Sequence, residues 1–188
     1  MANVEANVAV AITGAVYRGK SGATAPTGTS GALTSYDELG FISEDGITRA
    51  MPGAGDRETI KAWQNGAIVR VISTPSDENP AYTFTLLETK KEVIEAALGV
   101  TVTQTSSEGS YVIDSNAPKS RDKYVIHVID GSELERHFIP LGEVVEIGEQ
   151  VFANGQPIGY EVTVECHRDA SISGQIKVWS TRLKSPAS

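Results

Sequence analysis

The sequence predicts a mainly β protein: two packed antiparallel sheets, sandwich or barrel-like, with one short helix on the flank. Three observations carry this. Runs rich in Val, Ile, Thr and Tyr recur along most of the chain, separated by Gly, Pro, Asn and Asp. Asn65-Gly66 and Asn154-Gly155 each stand between two such runs and mark hairpins, because both residue types tolerate positive φ. Only residues 89–99 carry the apolar spacing and end signals of a helix. A chain of 188 residues, 40% hydrophobic, suits a single domain over residues 1–188 with its own core.

Residues 7–18 read as a strand, alternating imperfectly among Val, Ala, Ile and Thr. Residues 19–35 are dominated by Gly, Ser, Thr and Ala, with Pro26 inside. Almost nothing bulky is there to bury, so a long exposed loop or arm is expected, with flexibility reaching to about residue 45. Glu44-Asp45-Gly46 reads as a turn. Residues 47–51 are strand-like, 52–55 turn, and 58–63 with 67–73 form a hairpin about Gln64-Asn65-Gly66. A second turn at 74–80 holds two prolines, and 82–87 is a further strand. Thr89 stands three residues before Glu92, the spacing of a capping box. Val93, Ile94, Ala97 and Leu98 then share one face, and Gly99 supplies the stop. A helix this short is not stable alone, so those four side chains are expected to dock on a sheet.

The second half reads as strands. Residues 124–129 and 133–139 flank Asp130-Gly131-Ser132. A three-residue turn there sorts Tyr124, Ile126, Val128, Leu134 and Phe138 onto one face, with Arg136 the exception. It puts His127, Glu133, Glu135 and His137 on the other, along with Val125 and Ile129, so the hydrophobic pattern selects that turn over a two-residue one. Residues 143–152 and 158–167 flank Asn154-Gly155, with Glu161, Thr163 and Glu165 alternating against Tyr160, Val162 and Val164. Residues 175–182 complete the set.

Composition excludes several functions. The formal charge is −8, from 24 acidic and 16 basic residues, and no Lys/Arg cluster offers a grip on phosphates. Cys166 is the one cysteine, so no internal disulfide forms. Apolar runs are too short to span a bilayer, and Glu5 with no basic residue before Arg18 is not a signal-peptide start. Synthesis as a soluble protein in the cytoplasm is expected. His127, His137, His167 and Cys166 lack metal-ligand spacing and read as ordinary strand residues on a solvated face, although His127 and His137 are placed to approach across their hairpin. Asp37, Glu38, Glu44 and Asp45 lack the order of a calcium loop. Gly14 to Ser21 formally matches GxxxxGK[ST], but its interior Val16-Tyr17-Arg18 is strand-like and no helix can start in Gly22-Ala23-Thr24-Ala25-Pro26. No catalytic, cofactor-binding or metal-binding residue is expected, and no enzyme.

Three signals in order, Asp37-Glu38-Leu39-Gly40-Phe41-Ile42-Ser43-Glu44-Asp45-Gly46-Ile47, then Trp63-Gln64-Asn65-Gly66, then Thr83-Phe84-Thr85 with Glu88-Thr89 opening the helix, carry a family resemblance. The chain resembles the major tail protein of long-tailed bacteriophages of the siphophage type, the subunit of the tail tube. The resemblance implies a virion protein made in the host cytoplasm. Six copies would close into a ring, their inner strands joining one β-barrel, and rings would stack into a conduit for DNA ejection. It also implies partners in the tape measure, tail terminator and baseplate or tail-tip proteins, and no membrane. Many relatives carry an added immunoglobulin-like domain, for which this sequence leaves no room after its last strand.

Two candidate surfaces follow. A conduit that must not bind DNA wants an acidic lumen, supplied either by Glu133 and Glu135 or by Glu143, Glu146, Glu161 and Glu165. The loop with Ser21, Thr24, Pro26, Thr29 and Leu33 is the candidate for ring-to-ring contact. The alternative function is a β-sandwich binding module, for carbohydrate or as a virion decoration protein. An aromatic content of 6% argues against it.

Overall fold

A computed structural model of the chain describes residues 8–20 and 22–184. Its strands are β1 (Thr13–Gly19), β2 (Tyr36–Glu38), β3 (Ile42–Ala50), β4 (Asp56–Lys61), β5 (Ile68–Thr74) and β6 (Ala81–Leu86). Helix α1 (Lys91–Leu98) follows, then β7 (Thr103–Gln104), β8 (Gly109–Ser110), β9 (Arg121–Asp130), β10 (Glu133–Ile147), β11 (Tyr160–Cys166) and β12 (Lys177–Ser180). The protein is mainly β and antiparallel throughout, as the sequence predicts.

One eight-stranded sheet runs β2-β1-β9-β10-β11-β6-β3, with β12 also on β10. The 15-residue β10 makes this possible by changing partners. Along one edge it keeps β9; along the other, residues 135–138 pair β12 and residues 142–147 pair β11. Buried Pro140, which has no N–H to give a ladder, sits where the β9 register shifts. The sequence suggested two strands here; they are one strand bent at this point. The sheet thus folds into two wings whose inner faces share a core with α1. Val16, Tyr124, Ile126 and Ile139 come from one wing, Tyr82, Phe84, Val162 and Val164 from the other, Val93, Ile94 and Ala97 from the helix. The two ends of the sheet, β2 and β3, are not paired to each other, so it is not a closed barrel.

The β9–β10 register corrects the sequence reading. Asp130 pairs Glu133, making a two-residue turn of Gly131 and Ser132, with Gly131 at φ 60. Phe138 then faces Val125, His137 faces Ile126 and Glu135 faces Val128. Leu134, Arg136 and Phe138 share a face with His127 and Val125, while Glu135 and His137 join Tyr124, Ile126 and Val128. The hydrophobic pattern failed because both faces of this hairpin are covered: Val125 and Phe138, away from the main core, are 0% and 1% exposed. Where neither face is solvated, alternation does not choose a register.

The helix begins one residue later than the capping box required. Its N-cap is Lys90, without a side-chain cap, and the Thr89 hydroxyl meets the Tyr160 hydroxyl at 3.3 Å instead. Gly99 ends it at φ 68, as expected. Buried Glu95 accepts from the Val102 amide and the Lys20 ammonium, both at 3.1 Å. Burial works against its ionisation, but those two partners outweigh it and hold the carboxyl below its ordinary value.

Residues 14–19 of the formal phosphate-loop match lie in strand β1, and its Ser21 lies outside the described residues. A Cβ on Gly14 would lie 2.5 Å from the His127 carbonyl oxygen, so close strand packing accounts for that glycine.

Candidate functional site

The six acidic candidates fall into two groups. Glu133 and Glu135 lie beside the β9–β10 turn, engaged by different partners. Glu133 accepts from the Thr181 hydroxyl. Glu135 Oε1 lies 2.7 Å from His137 Nε2, and His137 Nδ1 lies 2.7 Å from the Tyr82 hydroxyl of the opposite wing. His137 is therefore buried between the wings, not on a solvated face as the sequence suggested, and burial holds its pKa below the ordinary value. The register also puts His127 and His137 on opposite faces, so they do not approach.

Glu143, Glu146, Glu161 and Glu165 do come together. Glu143 lies opposite Glu165 and Glu146 opposite Thr163, with Glu161 two residues along β11 and opposite Thr85 of β6. Thr83 and Thr163, joined at 3.0 Å, lie between them. The result is an outward polar face across β10, β11 and β6, with Glu146 and Glu161 exposed. Arg121, 2.7 Å from Glu143, holds that carboxyl below its ordinary value, aided by His167 at 3.0 Å. Glu165 accepts from Asn79 at 2.7 Å.

The loop after β1 is tied down at its middle. Arg136, 4% exposed, donates from Nη1 to the Gly28 and Gly31 carbonyls at 2.7 and 2.9 Å and from Nε to His127 Nε2 at 2.8 Å. Pro26 is buried, as is Ala23, while Thr24 is exposed and its carbonyl accepts from Tyr36 at 3.1 Å. Thr29 and Leu33 are half-buried; Ser21 lies outside the described residues. Of the helix residues, Val93, Ile94 and Ala97 are buried, and Leu98 is partly buried against the same core.

Two surfaces escaped the sequence reading. The β4–β5 hairpin stands off the body, with every residue of both strands exposed. It displays Ile60, Ile68, Val69 and Val71, and at its tip Trp63 is 97% exposed. The tip is held by Ala62 N to Ala67 O at 2.7 Å and Ala67 N to Asn65 Oδ1 at 3.0 Å. Exposed aliphatics on both faces of a two-stranded ribbon were the available signal. The second surface is a cleft of about 490 Å³ between the start of β1, Val128 of β9 and residues 38–47. Ile12, Phe41, Ile42, Ile47 and Val128 give it apolar walls; Glu38, Glu44 and Glu88 give it charge.

Among the described residues no group of three or more His, Cys, Asp or Glu side chains is placed to hold a metal ion, and no helix is long and apolar enough to cross a membrane. A family model described as phage tail tube protein matches residues 1–179. No curated protein matches the chain.

Proposed function

We propose, from a chain that belongs to the phage tail tube protein family, that this subunit polymerises as stacked hexameric rings into the tail tube through which DNA is ejected. Family membership makes it a structural component of the virion tail and implies self-assembly into a tube. The observation that carries the finer reading is the β4–β5 hairpin. A two-stranded ribbon with no buried residue is marginal alone in water, and its exposed apolar side chains call for a partner. The free edges of β2, β3 and β12 offer further pairing sites in a ring. The subunit is no enzyme in this reading. Tape measure, tail terminator and tail-tip proteins are its other partners, and it is made in the host cytoplasm.

The lumen is assigned to the face bearing Glu143, Glu146, Glu161 and Glu165. These four share one outward polar face of β10 and β11, on which Glu146 and Glu161 are exposed, whereas Glu133 and Glu135 lie apart beside the β9–β10 turn and are both half-buried. Negative charge repels the DNA backbone over about 10 Å at moderate salt, and repeats with every subunit. Replacing Glu146 and Glu161 by Lys tests this, because both side chains are exposed on that face. Tails of normal length with slowed or blocked ejection are expected. Normal ejection from fully substituted tails would remove that face from the lumen.

A further inference from the structure

The run 37–47, the most distinctive in the sequence, forms one wall of the cleft but has no part in the account so far. We propose that this cleft receives the tip of the β4–β5 hairpin of a second copy of the chain. The inference rests on the self-assembly reading and names the surface used.

Charge is the first argument. The lining includes Glu38, Glu44 and Glu88 and neither Lys nor Arg. Residues 59–71, the distal hairpin, contain Lys61 and Arg70 and no acidic residue. Glu88 is paired with Lys90 at 3.0 Å, so Glu38 and Glu44 give the cleft its negative charge; a cationic apolar tip meets an anionic apolar cleft, an arrangement that steers encounter and fixes orientation.

Position is the second. Ile42 pairs Leu86 at the cleft end of β3, and Ala50 pairs Ala81 at the end from which the hairpin leaves. Because β3 bulges between Ile42 and Ile47, these two pairs stand five β6 residues apart, roughly 17 Å at about 3.3 Å per residue, and hairpin root and cleft are distinct patches. Tip-into-cleft contact is therefore head-to-tail, and a heterologous contact of that kind propagates.

Capacity is the third. Pockets of about 300–1,000 Å³ take drug-sized molecules, so a 490 Å³ cleft admits an indole and its neighbours. Trp63, 97% exposed, is the natural anchor, and Phe41, 76% exposed at the rim, is its neighbour. The cleft is also flanked by strand edges that pair only on their far sides. Among the described residues Thr13–Ala15 pair β9 but not β2, and β3 pairs β6 alone, leaving backbone groups for an incoming strand.

The test is a Thr13→Cys/Gln64→Cys double variant, which places exposed thiols in the cleft lining and at the hairpin tip while keeping Trp63 and Phe41, treated with a short bis-maleimide. Cys166 is buried, and burial raises its thiol to about 12, so it does not compete. A ladder of dimers, trimers and longer species is expected from the double variant, with neither single variant giving more than dimers. Independently, Lys61→Glu/Arg70→Glu raises the concentration needed for self-association roughly tenfold or more, and adding Glu38→Lys/Glu44→Lys restores it to within about threefold. Tubes in micrographs without a ladder or a rescue overturn the docking and leave the tube reading standing. No tubes and no ladder overturn both. If the thiol of the Thr13→Cys single variant is shielded from maleimide in the monomer, the cleft is already covered within one subunit, and the docking is overturned as well.

Discussion

Arg136→Ala should release the loop after β1 while leaving the main core folded. Arg136 is buried, and its guanidinium donates to the Gly28 and Gly31 carbonyls at 2.7 and 2.9 Å. Hydrogen bonds from a charged donor contribute about 1.5–3 kcal/mol each, so the two together bound the anchor at about 3–6 kcal/mol. When the loop lifts, both carbonyls recover water and the chain recovers conformational entropy, leaving a net of about 2–4 kcal/mol. At about 1.4 kcal/mol per factor of ten, opening of residues 22–35 becomes roughly 30- to 700-fold more frequent. Native-state hydrogen exchange reads this directly on the amides of residues 22–35, with β6 amides as the internal control. Arg136→Lys should recover only part of the protection, because an ammonium lacks the planar fork that reaches two carbonyls while also donating to His127. Unchanged exchange in Arg136→Ala would refute the reasoning; the loop would then be held by Pro26 and Ala23 packing alone.

Two other perturbations test the core and the hairpin. Ile94→Ala should cost about 2–5 kcal/mol in chemical denaturation, and Leu98→Ala clearly less, because Ile94 is 4% exposed and Leu98 only partly buried; equal costs would mean that the helix is rotated from its described docking. His127 is lowered from 6.5 to about 4, first by burial and then by the Arg136 cation, so it folds neutral. Its contribution is whole above about 6.5 and is lost as pH falls towards about 4, where protonation ends its acceptance from Arg136. His127→Gln should flatten the denaturation midpoint across that window, and an unaltered pH profile would assign the loss to other groups.

Much of the fold was legible because local chemistry decided it. The tip around Asn65-Gly66, the strand Ala81–Leu86 with its alternating burial and the glycine stop after α1 each rest on residues within a few positions of one another. The parts that were not legible depend on distant chain. On the face that carries Val125 and Phe138, Phe138 meets Trp179 of β12 and Arg136 holds the loop after β1, both distant in sequence, and without such distant contacts the hairpin register is underdetermined. The Thr89 cap was lost to Tyr160, which reaches it only through the β6–β11 pairing. Turn chemistry at Glu44-Asp45-Gly46 was read correctly but misplaced: it forms an irregularity within β3, where the register shifts between Ile42 and Ile47. Of the acidic candidates, strict alternation along β11 identified Glu161 and Glu165. The sequence already grouped them with Glu143 and Glu146; what it could not give is the bulged β10–β11 register that sets Glu146 opposite Thr163.

The central claim is that this chain assembles with itself into a tube. Electron microscopy of the purified full-length protein over a concentration series tests it most directly. Rings with sixfold symmetry, and stacks of such rings with a continuous lumen, are the predicted result; monodisperse single subunits at every concentration, and equally in the presence of the other tail proteins, would contradict it.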